Sequence, residues 1–222
     1  MSMKPKAFLF DLNGTMIDDM GFHQEVWNRI LNDDLKAGLT HEEVKQQLFG
    51  KNNELLERVF GHGAFDEEQV KEISKKKEEL YQELYRPHLE LISGLENLLE
   101  KAYREGIFMA IGSAALPFNI GFVIDNLLIR HYFRTIVSAD DVTESKPNPE
   151  VFLKAAMQLG VSPEDCIVFE DVPKGAEAAL NAGMKVIIVT TTHTPEEFEK
   201  YPNVLFFISD YNDPRLNDLF LS

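Results

Sequence analysis

CIVFEDVPKGAEAALNAGMKVIIV, residues 166–189, carries the pattern that decides the fold: two short, evenly apolar segments, 166–170 and 185–189, on either side of an alanine-rich stretch. A strand with one face in water alternates apolar and polar residues, whereas one covered on both faces is apolar throughout, as in a parallel sheet between helices. Segments of the same kind recur at 6–11, 108–112, 135–138 and 204–207, separated by amphipathic stretches. That order predicts an α/β fold, a doubly wound parallel sheet with helices on both faces. The gap from 12 to 107 holds no comparable segment. Within it, 21–32, 41–49, 53–60 and 66–85 carry apolar residues at helical spacing, punctuated by Gly38, Gly50, Gly61 and Gly63. The expected organisation is a core made of 1–15 and 89–222, interrupted by an all-helical domain of four helices at 16–88. The run Lys75, Lys76, Lys77 reads as a solvated helix face.

Composition narrows the function. With 44% hydrophobic and 27% charged residues the chain of 222 is of ordinary globular make-up. Its formal charge of -15 disfavours nucleic acid and anionic membranes, which are bound through clustered Lys and Arg. A phosphate substrate would need a local reversal of that field, such as a metal ion supplies. The apolar segment Ala7 to Phe10 is too short for a signal peptide, and no run approaches the roughly 18 residues of a membrane span. The single cysteine, Cys166, has no internal disulfide partner and sits in an apolar run, as a buried thiol does, so a reduced, cytoplasmic setting is expected.

Open parallel sheets gather ligand groups at the carboxyl ends of their strands. Asp11 ends the first segment, Ser113 follows the second, and Glu170 with Asp171 ends CIVFED; Lys146 lies in the loop ESKPNPE. Carboxylates can hold magnesium, and Lys and Ser can neutralise or hydrogen-bond phosphate oxygens, so the set suits phosphoryl transfer.

The motifs FDLNGTMID (10–18), IGSA (111–114), SKPNPEVF (145–152) and FEDVPKGAEAALNAGM (169–184) resemble, in order, the four motifs of the haloacid dehalogenase superfamily. The resemblance implies roles. Asp11 would attack phosphorus and become an aspartyl phosphate. Asp11, the backbone carbonyl of Asn13 and Asp171 would bind Mg2+, with Glu170 as a further ligand or an orienter. Thr15 and Ser113 would hydrogen-bond the transferring group, and Lys146 would pair with Asp11 and the phosphate. One position departs. Most phosphatases and phosphomutases of the family have aspartate two residues after the nucleophile, where this chain has Asn13. An amide keeps the carbonyl but exchanges no proton at neutral pH.

DDMGFHQEVW (18–27) resembles the start of the helical cap in the β-phosphoglucomutase and phosphatase subfamily, with His23 and Trp27 at the matching places. Lys77 aligns with a cap lysine that reads substrate there. LFGKNNELL (48–56) has Asn53 in place of a phosphate-gripping arginine, with Lys51 nearby as a partial substitute. Ala114 opens AALPFN (114–119), where the mutase carries serine, lysine and asparagine around phosphate. The substrate-facing set is therefore His23, Lys51, Asn53, Lys77, Ser113 and Ala114. Losing grips on a second phosphate argues for hydrolysis of a small, sugar-phosphate-like monoester. The alternatives are a β-phosphoglucomutase-type isomerase and a catalytically impaired phosphometabolite-binding protein. Dehalogenases of the superfamily dispense with metal, whereas the Glu170–Asp171 pair is placed to bind one. The expected partner is a small phosphorylated metabolite, with no nucleic acid or membrane, and the chain is expected as a monomer or weak homo-oligomer.

Overall fold

The computed structural model describes residues 4–221; Ser222 and Met1 to Met3, on which part of the expectation about a signal peptide falls, lie outside them. Six strands, β1 (Ala7–Phe10), β2 (Phe108–Gly112), β3 (Thr135–Val137), β4 (Cys166–Glu170), β5 (Lys185–Val189) and β6 (Val204–Ile208), form one parallel sheet in the order β3-β2-β1-β4-β5-β6. The doubly wound parallel sheet expected from the sequence is present. Side chains alternate across β1. Ala7 and Leu9 join an aliphatic cluster with Val151, Phe152, Ala176 and Ala179, while Phe8 and Phe10 pack against Phe169, the latter pair stacked at 4.7 Å. Both faces are buried, which is why the strand reads as uniformly apolar.

The chain divides into two compact units, Met1–Asp18 with Glu90–Ser222, and Asp19–Leu89. Residues 16–18, expected with the helical insertion, group with the sheet unit. Met16 and Ile17 are buried, their amides reach Leu12 O at 2.8 and 3.3 Å, and Ile92 N donates to Met16 O at 2.9 Å.

The helical unit holds α1 (Met20–Asn28), α2 (His41–Lys45), α3 (Asn52–Phe60) and α4 (Glu67–Tyr85), with a wider π-turn, Arg29–Asp34, continuing α1. The segment expected as one helix over 41–49 stops at Lys45. Beyond it the amides of Gln47 and Leu48 turn to the carbonyls three residues back, at 2.9 and 3.1 Å, and Arg58 caps the end, its guanidinium taking the Gln47 and Phe49 carbonyls at 2.7 and 2.8 Å and lying 3.8 Å over the Phe49 ring. The lysine run is also split, with Lys75 and Lys76 exposed and Lys77 buried. Among the described residues no helix is long and apolar enough to cross a membrane.

Candidate active site

β1 and β4 are neighbours, so their carboxyl ends bring Asp11, Glu170 and Asp171 together by register alone. Asp11 N donates to Phe169 O at 3.0 Å, extending the ladder one residue. All three carboxylates are almost fully buried, at 8%, 0% and 1% exposure. Lys146 binds two of them, its Nζ donating to Asp11 Oδ1 at 2.5 Å and to Glu170 Oε1 at 2.6 Å. Glu170 Oε2 accepts from the Asp171 and Val172 amides at 2.9 and 3.2 Å. Both Glu170 oxygens are thus engaged, and the side chain orients Lys146 and the turn into the helix Pro173–Asn181. Gly175 in that helix permits this, because a Cβ there would stand 1.9 Å from the Glu170 carboxyl carbon.

Asp171 is held differently. Thr15 Oγ1 donates to Oδ1 at 3.0 Å and Thr192 Oγ1 to Oδ2 at 2.6 Å. Gly14 presses on the same carboxylate: its φ is +72° and a Cβ would sit 2.2 Å from Oδ2, so only glycine fits the nucleophile loop. Thr15, expected at the transferring group, therefore directs its hydroxyl to Asp171. Its carbonyl accepts from Tyr211 at 2.8 Å.

Charge in this cluster is unbalanced. Burial pushes the Asp11 carboxyl up to about 6, with Lys146 opposing and Glu170 adding to the rise. Burial, Glu170 and Asp11 likewise raise Asp171 well above the usual carboxylate range, against the two threonine hydroxyls. Burial would lower the Lys146 ammonium, but Asp11 and Glu170 hold it above its ordinary value. Three buried carboxylates face one lysine. A hard divalent cation on Asp11, Asp171 and the adjacent backbone carbonyl would correct that excess, so the donor set fits one.

Ser113 follows β2, is 1% exposed, and accepts from Ala115 N at 3.2 Å. Ala114 and Asn13 are half-buried in the same unit.

The helical unit has a polar cluster of its own. Lys77, at 4% exposure, lies 2.7 Å from His23 Nδ1 and 2.9 Å from Glu78 Oε2, and Asn52 donates to Glu78 Oε1 at 2.8 Å. An ammonium only donates, so Nδ1 accepts and the imidazole proton is on Nε2, 3.2 Å from Asp19 Oδ2. Tyr81 donates to the same oxygen at 2.5 Å and stacks on His23 at 4.0 Å. Burial would raise the Glu78 carboxyl, yet Lys77, His23 and Asn52 hold it below its ordinary value. Lys51 is half-buried at the start of α3, and Asn53 is exposed; its neighbour Asn52 joins the cluster instead. Glu78→Gln removes the charge that balances Lys77 and should destabilise the helical unit by about 2 kcal/mol in chemical denaturation.

Sequence reasoning missed Thr191, Thr192 and Tyr211 in the sheet unit, and Asn52, Glu78 and Tyr81 in the helical unit. The threonines had a signal, three hydroxyls in a row directly after a fully apolar strand. Tyr211, Asn52 and Tyr81 act through contacts between distant segments, and Glu78 pairs with its own neighbour Lys77.

Comparison with known proteins agrees with this layout. The sequence pattern of the family described as haloacid dehalogenase-like hydrolase matches residues 8–189. Hexitol phosphatase A of Escherichia coli is 31% identical over 189 residues, 84% of this chain and 84% of that protein. β-Phosphoglucomutase of Bacillus subtilis is 31% identical over 199 residues, 81% of this chain and 80% of its own length. The crystal structure of a family IA, variant 3 hydrolase of this type from Entamoeba histolytica superposes with a TM-score of 0.85 at 29% identity, covering 98% of this chain and 100% of that one. The matched pattern takes in β1 through β5 and every carboxylate of the cluster, and the chain belongs to the haloacid dehalogenase-like hydrolases.

Proposed function

We propose that this hydrolase is a magnesium-dependent phosphomonoesterase acting through an aspartyl phosphate on Asp11, on a small sugar or polyol monophosphate. The observation that carries the reading is the Lys146 bridge between Asp11 and Glu170 beside the doubly hydrogen-bonded Asp171. Lys146 fixes the orientation of the Asp11 carboxylate and carries the positive charge that a phosphoryl group needs next to a buried anion. Asp11 attacks phosphorus as the ester P–O bond breaks and the leaving oxygen takes a proton from solvent; water then attacks the phosphorus of the acyl phosphate, giving its proton to solvent, and the acyl P–O bond breaks to return the free carboxylate. Ser113 supplies a hydroxyl for a phosphoryl oxygen. Glu170 serves as the orienter of Lys146 rather than a cation ligand. Mg2+ held by Asp11, Asp171 and the Asn13 carbonyl would supply positive charge against the phosphoryl oxygens.

Asn13 sets the rate. Its amide neither protonates the leaving oxygen nor deprotonates the water, so both steps run without that help. Phosphatase and phosphomutase names both occur among the relatives, and Asn53 and Ala114, standing where the mutase pattern has residues that grip a second phosphate, favour the former.

A panel of phosphate monoesters, assayed with magnesium and again after chelation, tests the proposal. Magnesium-dependent phosphate release from one or more neutral-ended monoesters is expected. Release that survives chelation, or none from any ester, counts against it.

A further inference from the structure

β5 ends at Val189 and runs on into Thr190, Thr191, Thr192 and His193. The three hydroxyls have separate tasks. Thr190 Oγ1 donates to Ile208 O at 3.2 Å and fastens the tract to β6, and Thr191 Oγ1 donates to Gly14 O in the nucleophile loop. Thr192 Oγ1 lies 2.6 Å from Asp171 Oδ2, 3.1 Å from the Asp171 backbone carbonyl and 2.9 Å from His193 Nδ1. A hydroxyl has one hydrogen and a carboxylate only accepts, so the shorter contact takes that hydrogen. His193 must then donate to the Thr192 oxygen, which assigns the imidazole proton to Nδ1 and turns the hydroxyl hydrogen towards Asp171.

We propose that Thr192, steered by His193, is a positioning residue of the cation site, holding the Asp171 carboxylate in the one orientation that presents it to a divalent ion. The inference rests on the reading of Asp171 as a ligand given above. Asp171 shares its burial with Asp11 and Glu170, and like charges at that range drive a carboxylate away unless donors hold it. Thr15 holds one oxygen and Thr192 the other, and Gly14 closes the side where a methyl group would collide. Each oxygen has two lone-pair directions, so one hydroxyl apiece leaves acceptor capacity for the ion. Hydrogen-bond partners of metal ligands typically change affinity by about 10- to 100-fold when removed.

Titration calorimetry with magnesium chloride on the full chain tests this without recourse to turnover. Thr192→Val, which keeps the shape and loses the hydroxyl, should bind magnesium on the order of 10- to 100-fold more weakly than wild type. Thr192→Ser should bind close to wild type, because rescue needs only the hydroxyl. Thr192→Ala replaces the valine variant if that one fails to fold. Wild-type affinity in Thr192→Val, or equal loss in valine and serine variants, overturns the positioning role and leaves the phosphatase proposal standing. No magnesium binding by wild type removes both.

Discussion

Asp11→Asn should lower turnover by about 10⁴-fold or more while the protein stays folded, as read by steady-state phosphate release and far-ultraviolet circular dichroism. The magnitude follows from what is lost, since an amide nitrogen and carbonyl of the same shape form no acyl phosphate under the same conditions. The fold should survive because Lys146 keeps its bond to Glu170 and the Asp11 amide keeps its ladder bond to Phe169. Burial pushes the Asp11 carboxyl up to about 6, so the ionised form opposes folding at neutral pH and its removal reduces the buried negative excess around Lys146. Activity within tenfold of wild type would show that Asp11 is not the nucleophile.

Asn13→Asp should act in the opposite direction, raising turnover by about 10² to 10⁴ with little change in magnesium affinity. In the proposed reading, the backbone carbonyl at 13 serves the cation whatever the side chain is, and the side chain serves only the proton. Kinetics and calorimetry on the same pair of proteins separate the two tasks. Asn13 precedes Gly14, whose lack of a side chain removes the steric barrier to attack of the following amide on the asparagine side chain, so slow deamidation can generate aspartate in a stored sample. Peptide mass spectrometry quantifies that fraction and should accompany the kinetics. A deamidation-free wild type as fast as Asn13→Asp would move the acid and base elsewhere, with Asp18, Asp19 and His23 the residues to replace. Asp18 is exposed and Asp19 is buried against Tyr81 and His23.

The sheet was legible because a doubly covered parallel strand leaves an unmistakable sequence, apolar throughout, brief and ended by a polar residue. All six segments became strands. The carboxylate positions followed from strand ends, since a parallel sheet aligns its carboxyl termini whatever the connecting loops do. The sequence did not disclose which oxygen meets which donor. Glu170 looked equally suited to coordinate or orient, and its contacts with Lys146 and two amides support the orienting role proposed above. Thr15 and Thr192 meet on Asp171 from segments far apart in the chain, a pairing no local pattern encodes. In the helical unit, periodicity found the four helices but misjudged where the second ends, because the chain past Lys45 tightens to bonds three residues back and is capped by Arg58 of the next helix, a contact no periodicity encodes. Lys77 sat in a run that looks solvated. Its burial depends on Glu78 as a counter-charge, and an acidic residue next to a lysine is too common on helix surfaces to signal a buried pair.

A covalent aspartyl phosphate separates this mechanism from direct attack by water on the substrate, and mass spectrometry of protein quenched in acid during turnover of a monoester identified by the panel detects it. A phosphoryl group is expected on the peptide containing Asp11, on that side chain, and should disappear in Asp11→Asn. A phosphoryl group on another residue, or turnover proceeding with no covalent adduct at any time from mixing onward, would contradict that mechanism.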